Sequence, residues 1–395
     1  MTTALAIVEA EQTPASAALA KINALKDALN LRFYERSAVI DGLALALVAR
    51  ANVFILGEPG TAKSAVVDAF CEAIEGRFFS TLCNRFQPPE EVLGMLSLKG
   101  MQEDRYVRRT TNRLPEADVA FLDELFKGSA ALLNTLLRIT NEHVFEQDGV
   151  VTAIPARLIV GASNELPADG DGLGAFYDRF LLRYDVKRLQ DDRSVSAMLF
   201  SQGLDAELPR VVMADIDTLS AEAERVAVSK DAVDAVLKIR TALHDKSVRV
   251  SDRRWKQAAG LLKADAALHG QSAVTSASLT VLEHCLWDRP EQVATVREIV
   301  RAHVATWIKM TRDAHAAIDE QASRIQQSSK QGGPKHEAIA QLGKALDAVT
   351  DVAHTMEELL STSPEAREEV EAVRARIKKT KNDIASAMRL HGIGV

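Results

Sequence analysis

The sequence has little cysteine, and this scarcity excludes two kinds of site. Its 395 residues contain three cysteines, Cys71, Cys83 and Cys285, without a CxxC spacing. An odd number of isolated cysteines favours neither a disulfide framework nor a zinc site. A reducing, cytoplasmic environment is therefore predicted.

The sequence also lacks an excess of positive charge. Lys and Arg number 48 and Asp and Glu number 55, so the net charge is -7. Such a field repels nucleic acid and anionic membranes at long range, and no nucleic-acid module is recognisable. We therefore predict no nucleic-acid partner, and a DNA-remodelling function is disfavoured.

Long hydrophobic runs are absent too. No basic residue precedes the short apolar segment at the N-terminus, unlike in a signal peptide. The most apolar later stretch, residues 43–56, is shorter than a membrane span and contains Arg50 and Asn52. We predict neither export nor stable membrane insertion.

What is present indicates a folded protein of two or three units, since 47% of the residues are apolar and 26% are charged. Residues 1–16 are small and polar and predict a flexible arm. Residues 17–190 begin with helical periodicity and continue as short apolar strands that alternate with helices, the pattern of a parallel sheet covered by helices. The predicted strands are 53–56, 78–82, 119–122 and 158–162.

Two small hairpins are predicted as insertions in this α/β domain. One spans residues 95–110 around a polar turn. The other pairs Val144–Gln147 with Val150–Ala153 across Asp148 and Gly149, a dipeptide suited to a type I′ turn.

Strand signals disappear after Asp191, and the chain becomes helical. Residues 191–290 are predicted to form a second, all-helical domain. One helix covers roughly 231–245, and another begins after Ser251, whose hydroxyl suits an N-cap.

Residues 291–395 predict a helical extension with breaks at 332–334 and 361–364. Apolar spacings of three and four alternate there, as in a helix that packs on a partner helix. An antiparallel helical hairpin or a three-helix unit is favoured over a catalytic domain. The predicted seam consists of Ile339, Leu342, Leu346, Val349, Ala353, Met356 and Leu360, and then of Val370, Val373, Ile377 and Ile384.

The first segment that carries chemistry follows the strand at 53–56 and precedes a helical run, the context of a phosphate-binding loop. Lys63, expected to face solvent, would contact the β- and γ-phosphates of ATP, and Ser64 would ligate Mg²⁺. Ala62 stands where glycine is usual. A chance Gly- and Lys-rich turn is the alternative. The predicted loop residues are Gly57, Glu58, Pro59, Gly60, Thr61, Ala62, Lys63 and Ser64.

Two adjacent carboxylates follow the strand at 119–122. Successive side chains on a strand point to opposite faces, so Asp123 and Glu124 can have different roles. Asp123 can lie near Mg²⁺, and Glu124 can orient or deprotonate the attacking water. An ordinary acidic strand end is the alternative, and the presence of the phosphate-binding loop disfavours it.

Four further positions stay ambiguous from the residues alone. Asn164 could position water or the γ-phosphate, although Asn at a strand end is more often a turn former. Arg179 could neutralise charge on the γ-phosphate across a subunit boundary, or form a salt bridge within its own domain. Arg253 or Arg254 could reach back to the nucleotide, or be a solvated charge at a helix start.

Together these segments resemble the MoxR group of AAA+ ATPases, and most closely its RavA-like branch. The family order holds over residues 30–290. RavA-like proteins can carry a small β-rich module within a helical extension, and this sequence has no room for one. The matching segments are residues 34–36, 57–64, 84–94, 121–125, 133–137, 161–165 and 251–255.

The resemblance implies an AAA+ P-loop NTPase core and an all-helical lid, whereas the coiled-coil-like extension is predicted from the apolar spacing alone. It further implies a hexameric Mg-ATP hydrolase that remodels a protein client beside a protein with a von Willebrand factor A domain. An ATP-dependent scaffold or signalling switch with slow turnover is the alternative. The implied roles are Walker A for Lys63 and Ser64, Walker B for Asp123 and Glu124, sensor 1 for Asn164, arginine finger for Arg179, and sensor 2 for Arg253 rather than Arg254.

Overall fold

The computed structural model describes residues 13–167, 173–200, 207–304, 335–362 and 367–390, with scattered positions between 310 and 321. Contacts divide the chain into two units, Met1–Val300 and Arg301–Val395.

The first unit contains a sheet of five parallel strands in the order β3-β4-β7-β1-β8. Strand β1 is buried along its whole length because helices cover both faces of the sheet. The strands up to residue 190 are β1 (Val53–Gly57), β2 (Ile74–Glu75), β3 (Phe78–Leu82), β4 (Val119–Asp123), β5 (Val144–Gln147), β6 (Val150–Ala153), β7 (Leu158–Ser163) and β8 (Leu182–Val186).

The predicted parallel sheet is confirmed, with one strand more than the sequence indicated. The four predicted strands are β1, β3, β4 and β7, and the additional one is β8. Leu182, Tyr184 and Val186 alternate there with two charged residues, which is the period of a half-buried strand. Arg183 nevertheless lies fully buried in this strand, which pairs with β1. A charged residue is not expected at a buried position, and the strand was therefore not predicted.

Helix α1 corrects the boundary of the predicted N-terminal arm. It begins at Pro14, where the Thr13 side chain accepts a hydrogen bond from Ser16 N, so the arm does not extend to residue 16. Residues 1–12 lie outside the described part. The helices up to residue 190 are α1 (Pro14–Arg32), α2 (Ser37–Ala49), α3 (Lys63–Ala73), α4 (Pro89–Leu93), α5 (Leu98–Gln102), α6 (Ala130–Glu142) and α7 (Gly174–Tyr177).

The two predicted insertions differ in how well they match the structure. Strands β5 and β6 pair antiparallel, and Asp148 and Gly149 both have positive φ, as a type I′ turn requires. In the other insertion a single bridge joins Leu96 to Arg108. Helix α5 replaces the expected polar turn, because the Ser97 side chain caps its start.

The lid is helical, as predicted, and Ser229 and Ser251 cap its two main helices. Two-residue strands add short parallel ladders, β2 with β9 and β10 with β11, which are too short to show a period in sequence. The elements are α8 (Asp192–Phe200), β9 (Val211–Val212), α9 (Met213–Arg225), β10 (Ala227–Val228), α10 (Lys230–Asp245), α11 (Asp252–Leu268), β11 (Ala273–Val274), a 3₁₀ segment (Ser276–His284) and α12 (Val293–His303).

Helix α2 connects the lid to the sheet. It contacts α1, α9 and α11 as well as strands β1, β7 and β8, and it is therefore buried on nearly every face. The lid helices and the sheet strands therefore both pack against α2.

The second unit contains α13 (Lys335–Thr362) and α14 (Arg367–Leu390), which pack together. Only four residues separate them, so these two helices form an antiparallel hairpin, and whether a third helix joins them stays a prediction. Neither helix, nor any other described helix, is long and apolar enough to cross a membrane.

The packing seam of α13 lies partly one residue before the predicted one. Leu346, Ala353 and Leu360 are only half-buried, and the Ile339 side chain is outside the described part. The four predicted positions on α14 are buried. The buried seam positions of α13 are Leu342, Ala345, Val349, Met356 and Leu359.

Candidate functional site

The loop between β1 and α3 lies at the carboxyl edge of the sheet. Gly60 and Ala62 both adopt left-handed conformations, with φ of 79° and 63°. A Cβ at Gly57 would lie 2.6 Å from the Val186 carbonyl oxygen, so only glycine allows this approach. Helix α3 begins at Lys63 without a side-chain cap, which leaves N–H groups of its first turn for an anion.

The Lys63 side chain points inward and is only 8% exposed, in contrast to the solvent-facing position expected from the sequence. Its ammonium donates to Gly57 O at 2.6 Å, to Glu58 O at 3.0 Å and to Asn164 Oδ1 at 2.7 Å. Burial lowers the pKa of Lys63, although the two acids at the end of β4 oppose this. A bound phosphate would supply the anionic partner that this desolvated ammonium lacks.

Ser64 and Asp123 form a pair of oxygen donors beside the loop. The Ser64 hydroxyl donates to Asp123 Oδ2 at 2.7 Å, and Asp123 Oδ1 accepts from Glu124 N at 2.9 Å. Hydroxyl and carboxylate oxygens suit Mg²⁺, which usually completes its shell with water and substrate phosphates. The two residues therefore fit the role of protein ligands to Mg²⁺.

Glu124 is separated from Asp123 by a backbone turn rather than by strand alternation. Strand β4 ends at Asp123, and Glu124 has φ 48° at the start of a 3₁₀ turn. Its Oε1 accepts from Asn164 Nδ2 at 2.6 Å. Its Oε2 is buried and lies 3.2 Å from Lys127 Nζ, but accepts no hydrogen bond within the described residues. Oε2 is thus a spare acceptor at the site.

Asn164 connects the two halves of this cluster. It follows β7, which lies between β1 and β4 in the sheet, and its amide bridges Lys63 and Glu124. Parallel strands end at the same edge, so residues distant in sequence meet there. The structure brings together Lys63, Ser64, Asp123, Glu124 and Asn164.

Arg36 holds the phosphate-binding loop through hydrogen bonds to the backbone, and the sequence motifs did not predict this role. Its side chain is buried and donates to Thr61 O at 3.1 Å, to Lys187 O at 2.9 Å and to Glu35 O at 2.8 Å. Burial lowers its pKa, and the neighbouring Glu35 opposes this. Only its place in the family-like segment 34–36 pointed to it.

Arg179 lies at the opposite, amino edge of the sheet. Its carbonyl accepts from Asn52 Nδ2 at 3.0 Å, immediately before β1 begins. Its guanidinium donates to Leu137 O at 3.3 Å and also to Ala175 O. Four residue steps along β1 span about 13 Å, so Arg179 and the phosphate-binding loop lie at least about that far apart along the strand direction.

Arg253 and Arg254 lie near Arg179 and away from the loop of their own chain. Arg253 is 43% exposed, with Nη1 at 3.8 Å from Asp178 Oδ2. Arg254 is only 1% exposed, with Nη2 at 3.2 Å from Asp178 Oδ1 and 2.6 Å from Asp288 Oδ1. Among the described residues neither arginine contacts the phosphate-binding loop of its own chain, and Arg253 is the one of the two whose head group is accessible.

Comparison with known proteins agrees with this division into core and lid. Residues 20–224 match the family described as the MoxR domain in the MoxR-vWA-beta-propeller ternary systems. Residues 231–300 match an AAA lid domain. The chain belongs to the MoxR family of AAA+ ATPases. The resemblance to the MoxR group is thus confirmed, whereas the RavA-like branch stays a prediction.

Two proteins of Methanocaldococcus jannaschii are similar to this MoxR protein. Uncharacterized protein MJ0812 is 31% identical over 363 residues, which cover 90% of this chain and 95% of the relative. Uncharacterized protein MJ0079 is 32% identical over 284 residues, which cover 71% and 73%. The similarity therefore extends beyond the AAA+ core.

A crystal structure shows the same fold. A candidate ATPase from Cytophaga hutchinsonii matches with a TM-score of 0.56 at 16% identity. The match covers 73% of this chain and 95% of that one. At this identity the likeness shows the fold alone.

Proposed function

We propose that this MoxR protein hydrolyses Mg-ATP at interfaces between identical copies and uses the hydrolysis to remodel or activate a protein client. One observation carries the proposal: the polar residues are divided between two edges of one sheet. The cluster around Lys63 is at the carboxyl edge, and Arg179 and Arg253 are at the amino edge. Across about 13 Å of strand, these arginines serve a neighbour's nucleotide rather than their own.

Each residue of the pocket has a task that its contacts support. Lys63 and the first N–H groups of α3 would hold the phosphates. Ser64 and Asp123 would hold Mg²⁺, which neutralises charge on the β- and γ-phosphate oxygens. Glu124 would orient and deprotonate the attacking water through its spare acceptor Oε2. Asn164 would exchange its present contacts for the γ-phosphate and that water.

Such a head-to-tail contact generates a closed ring when the rotation between successive copies closes. We propose a hexamer on the basis of the family resemblance. The matching family is named for systems that contain MoxR, vWA and beta-propeller components, which supports a partner with a von Willebrand factor A domain. Cys71, Cys83 and Cys285 are all free and buried, which suits a cytoplasmic protein. Membership of the RavA-like branch rests on the sequence motifs.

Glu124→Gln tests the proposed chemistry. The variant should bind ATP with wild-type affinity and release phosphate at least about 100-fold more slowly, because the amide cannot take a proton from water. Equilibrium binding of a fluorescent ATP analogue and a phosphate-release assay measure the two properties. Wild-type turnover would exclude Glu124 as the base.

The same variant separates a remodelling machine from a switch. A machine should hydrolyse ATP faster when a purified von Willebrand factor A protein and a client are added. A scaffold or switch should instead change its assembly state with ATP equally well as wild type and as Glu124→Gln, without partner-stimulated phosphate release. Light scattering follows assembly in both proteins.

A further inference from the structure

A cluster of side chains joins the sheet to the lid beside Arg179. Both of its arginines are buried, Arg183 at 0% and Arg254 at 1% exposed. A buried guanidinium requires opposite charge and hydrogen-bond acceptors around it, because desolvation is costly. The cluster, called the acid bridge below, consists of Asp178, Arg183, Ser251, Arg254 and Asp288.

Arg183 fixes the backbone on both sides of Arg179. Its Nη2 donates to Tyr177 O at 3.1 Å, and its Nε donates to Phe180 O at 3.0 Å. The guanidinium carbon lies 3.8 Å from the centroid of the Tyr177 ring. A residue of strand β8 thus sets the conformation of the short segment 177–180, which carries Arg179.

Asp288 holds both buried arginines with one oxygen. Its Oδ1 accepts from Arg183 Nη1 at 2.5 Å and from Arg254 Nη2 at 2.6 Å. Its carbonyl oxygen accepts the Tyr177 hydroxyl at 3.0 Å. Burial alone would raise the pKa of Asp288, but the two arginines outweigh it and the pKa lies below the ordinary value. Asp288 therefore ties the lid to the sheet as a carboxylate.

Asp178 ties the arginine segment to the start of α11. The Ser251 hydroxyl lies 3.1 and 3.0 Å from its two oxygens, and Arg254 Nη2 lies 3.2 Å from Oδ1. A carboxylate at a helix N-terminus is also favoured by the helix dipole. Arg179 follows Asp178 directly, and Arg253 lies 3.8 Å from Oδ2. One carboxylate therefore sets the spacing of the two accessible arginines.

Arg254 depends on these two carboxylates alone. Its Nε and Nη1 atoms are buried and have no hydrogen-bond partner among the described residues. Loss of charge on Asp178 would leave the guanidinium with Asp288 only, and the start of α11 would lose its hold on the arginine segment.

We propose that the acid bridge is a positioning device through which the lid presents Arg179 and Arg253 together to the ATP of the neighbouring copy. Asp178 is its central positioning residue. This inference rests on the intersubunit site proposed above. The bridge residues act through the two arginines and do not touch ATP themselves.

Asp178→Asn tests the role with little change in shape. The amide can still accept from Ser251, but it carries no charge toward the two lid arginines. We expect kcat to fall about tenfold to 100-fold, since small displacements of a catalytic group have effects of this size. KM for ATP should be unchanged, and the melting temperature should fall only slightly, because Arg254 keeps the charge of Asp288. Asp234→Asn, an exposed lid aspartate outside the acid bridge, is the matched control and should behave as wild type.

Linked pairs of copies show from which copy Asp178 acts. In the trans pair, one copy carries Lys63→Ala and the other Asp178→Asn, so the intact pockets receive Arg179 from a copy with native Asp178. In the cis pair, one copy carries both changes, so the intact pockets receive Arg179 from a copy with Asp178→Asn. We expect the trans pair to turn over about tenfold or more faster than the cis pair. Equal rates, or the reverse order, would overturn the proposal.

Pairs with Arg179→Ala in place of Asp178→Asn keep the two proposals apart. If the trans reference pair is not faster than the cis reference pair, the intersubunit site itself is wrong. If it is faster and the two Asp178→Asn pairs have equal rates, only the positioning role is wrong. Should Asp178→Asn fold poorly, Ser251→Ala in the same pairs must give the same order of rates, with a smaller ratio, for the proposal to stand.

Discussion

The two edges of the sheet hold their charged residues in different ways. At the carboxyl edge, Lys63 is desolvated without a full anionic partner, and Glu124 keeps a spare acceptor. At the amino edge, Arg183 and Arg254 are buried against carboxylates of the same chain. The carboxyl edge therefore keeps groups that can bind a phosphate, whereas the buried arginines at the amino edge already have carboxylate partners. Such a division suits a molecule that receives ATP on one face and completes a neighbour's site with another.

Lys63→Ala should have the largest effect and should affect the carboxyl edge only. Loss of charged hydrogen bonds to phosphate should weaken ATP binding about 100-fold or more. Lys63→Met, which keeps more of the buried volume, should lose affinity equally. Lys238→Ala on the exposed face of α10 is the control. Titration with a fluorescent ATP analogue checks this, and unchanged affinity would remove Lys63 from the site.

Asp288→Asn should lower the free energy of unfolding through the amino edge of the sheet and leave the affinity for ATP unchanged. It leaves two buried arginines without their shared charge, and because Asp288 is itself partly exposed we expect a loss of about 2 kcal/mol in the free energy of unfolding. Denaturant titration should show this loss, and Asp234→Asn should show none. A free energy of unfolding equal to that of wild type would mean that the acid bridge does not stabilise the fold.

Low pH should reduce the free energy of unfolding through protonation of Asp288. The pKa of Asp288 in the folded protein lies below the ordinary value of 3.8. Its stabilising contribution is therefore complete above the unfolded pKa and is lost as pH falls through the folded pKa. Denaturant midpoints from pH 5 to pH 3, values chosen to bracket the ordinary pKa, should show wild type converging on Asp288→Asn. A constant difference between the two proteins would contradict this linkage.

Ala62→Gly should have the smallest effect, and it tests whether the backbone of the loop is strained at this position. Ala62 has φ 63°, a conformation that glycine adopts more easily. Relief of this strain, less the entropy that glycine adds to the unfolded chain, should stabilise the protein by about 0.5 kcal/mol. Ala153→Gly, at an exposed strand position, should destabilise it instead. In thermal melts, the melting temperature should rise for Ala62→Gly and fall for Ala153→Gly, each relative to wild type.

The sequence was sufficient to predict which residues meet at the carboxyl edge, because these residues follow predicted strands. Once four strands are predicted to be parallel, the residues after them must meet at one edge, which places Asp123 and Asn164 near Lys63. The inward turn of Lys63 and the left-handed backbone at Glu124 depend on contacts that no local pattern encodes. Neither feature could therefore be predicted.

The amino edge was beyond sequence reasoning for a different reason. Its contacts join residues far apart in the chain, such as Arg183 with Asp288 and Asp178 with Ser251. Arg183 looks like a surface charge, and this appearance also concealed strand β8. The one accessible signal was the alternation in 182–186, which predicts a strand once the buried charge is disregarded.

Linked pairs with Lys63→Ala and Arg179→Ala test the central claim, that each ATP site is shared between two copies. In a ring of trans pairs, half of the interfaces combine an intact Lys63 pocket with an intact Arg179, so phosphate release should be about half that of the wild-type pair. In a ring of cis pairs no interface is intact, and phosphate release should be lost. Active cis pairs and inactive trans pairs would show instead that Arg179 serves its own nucleotide.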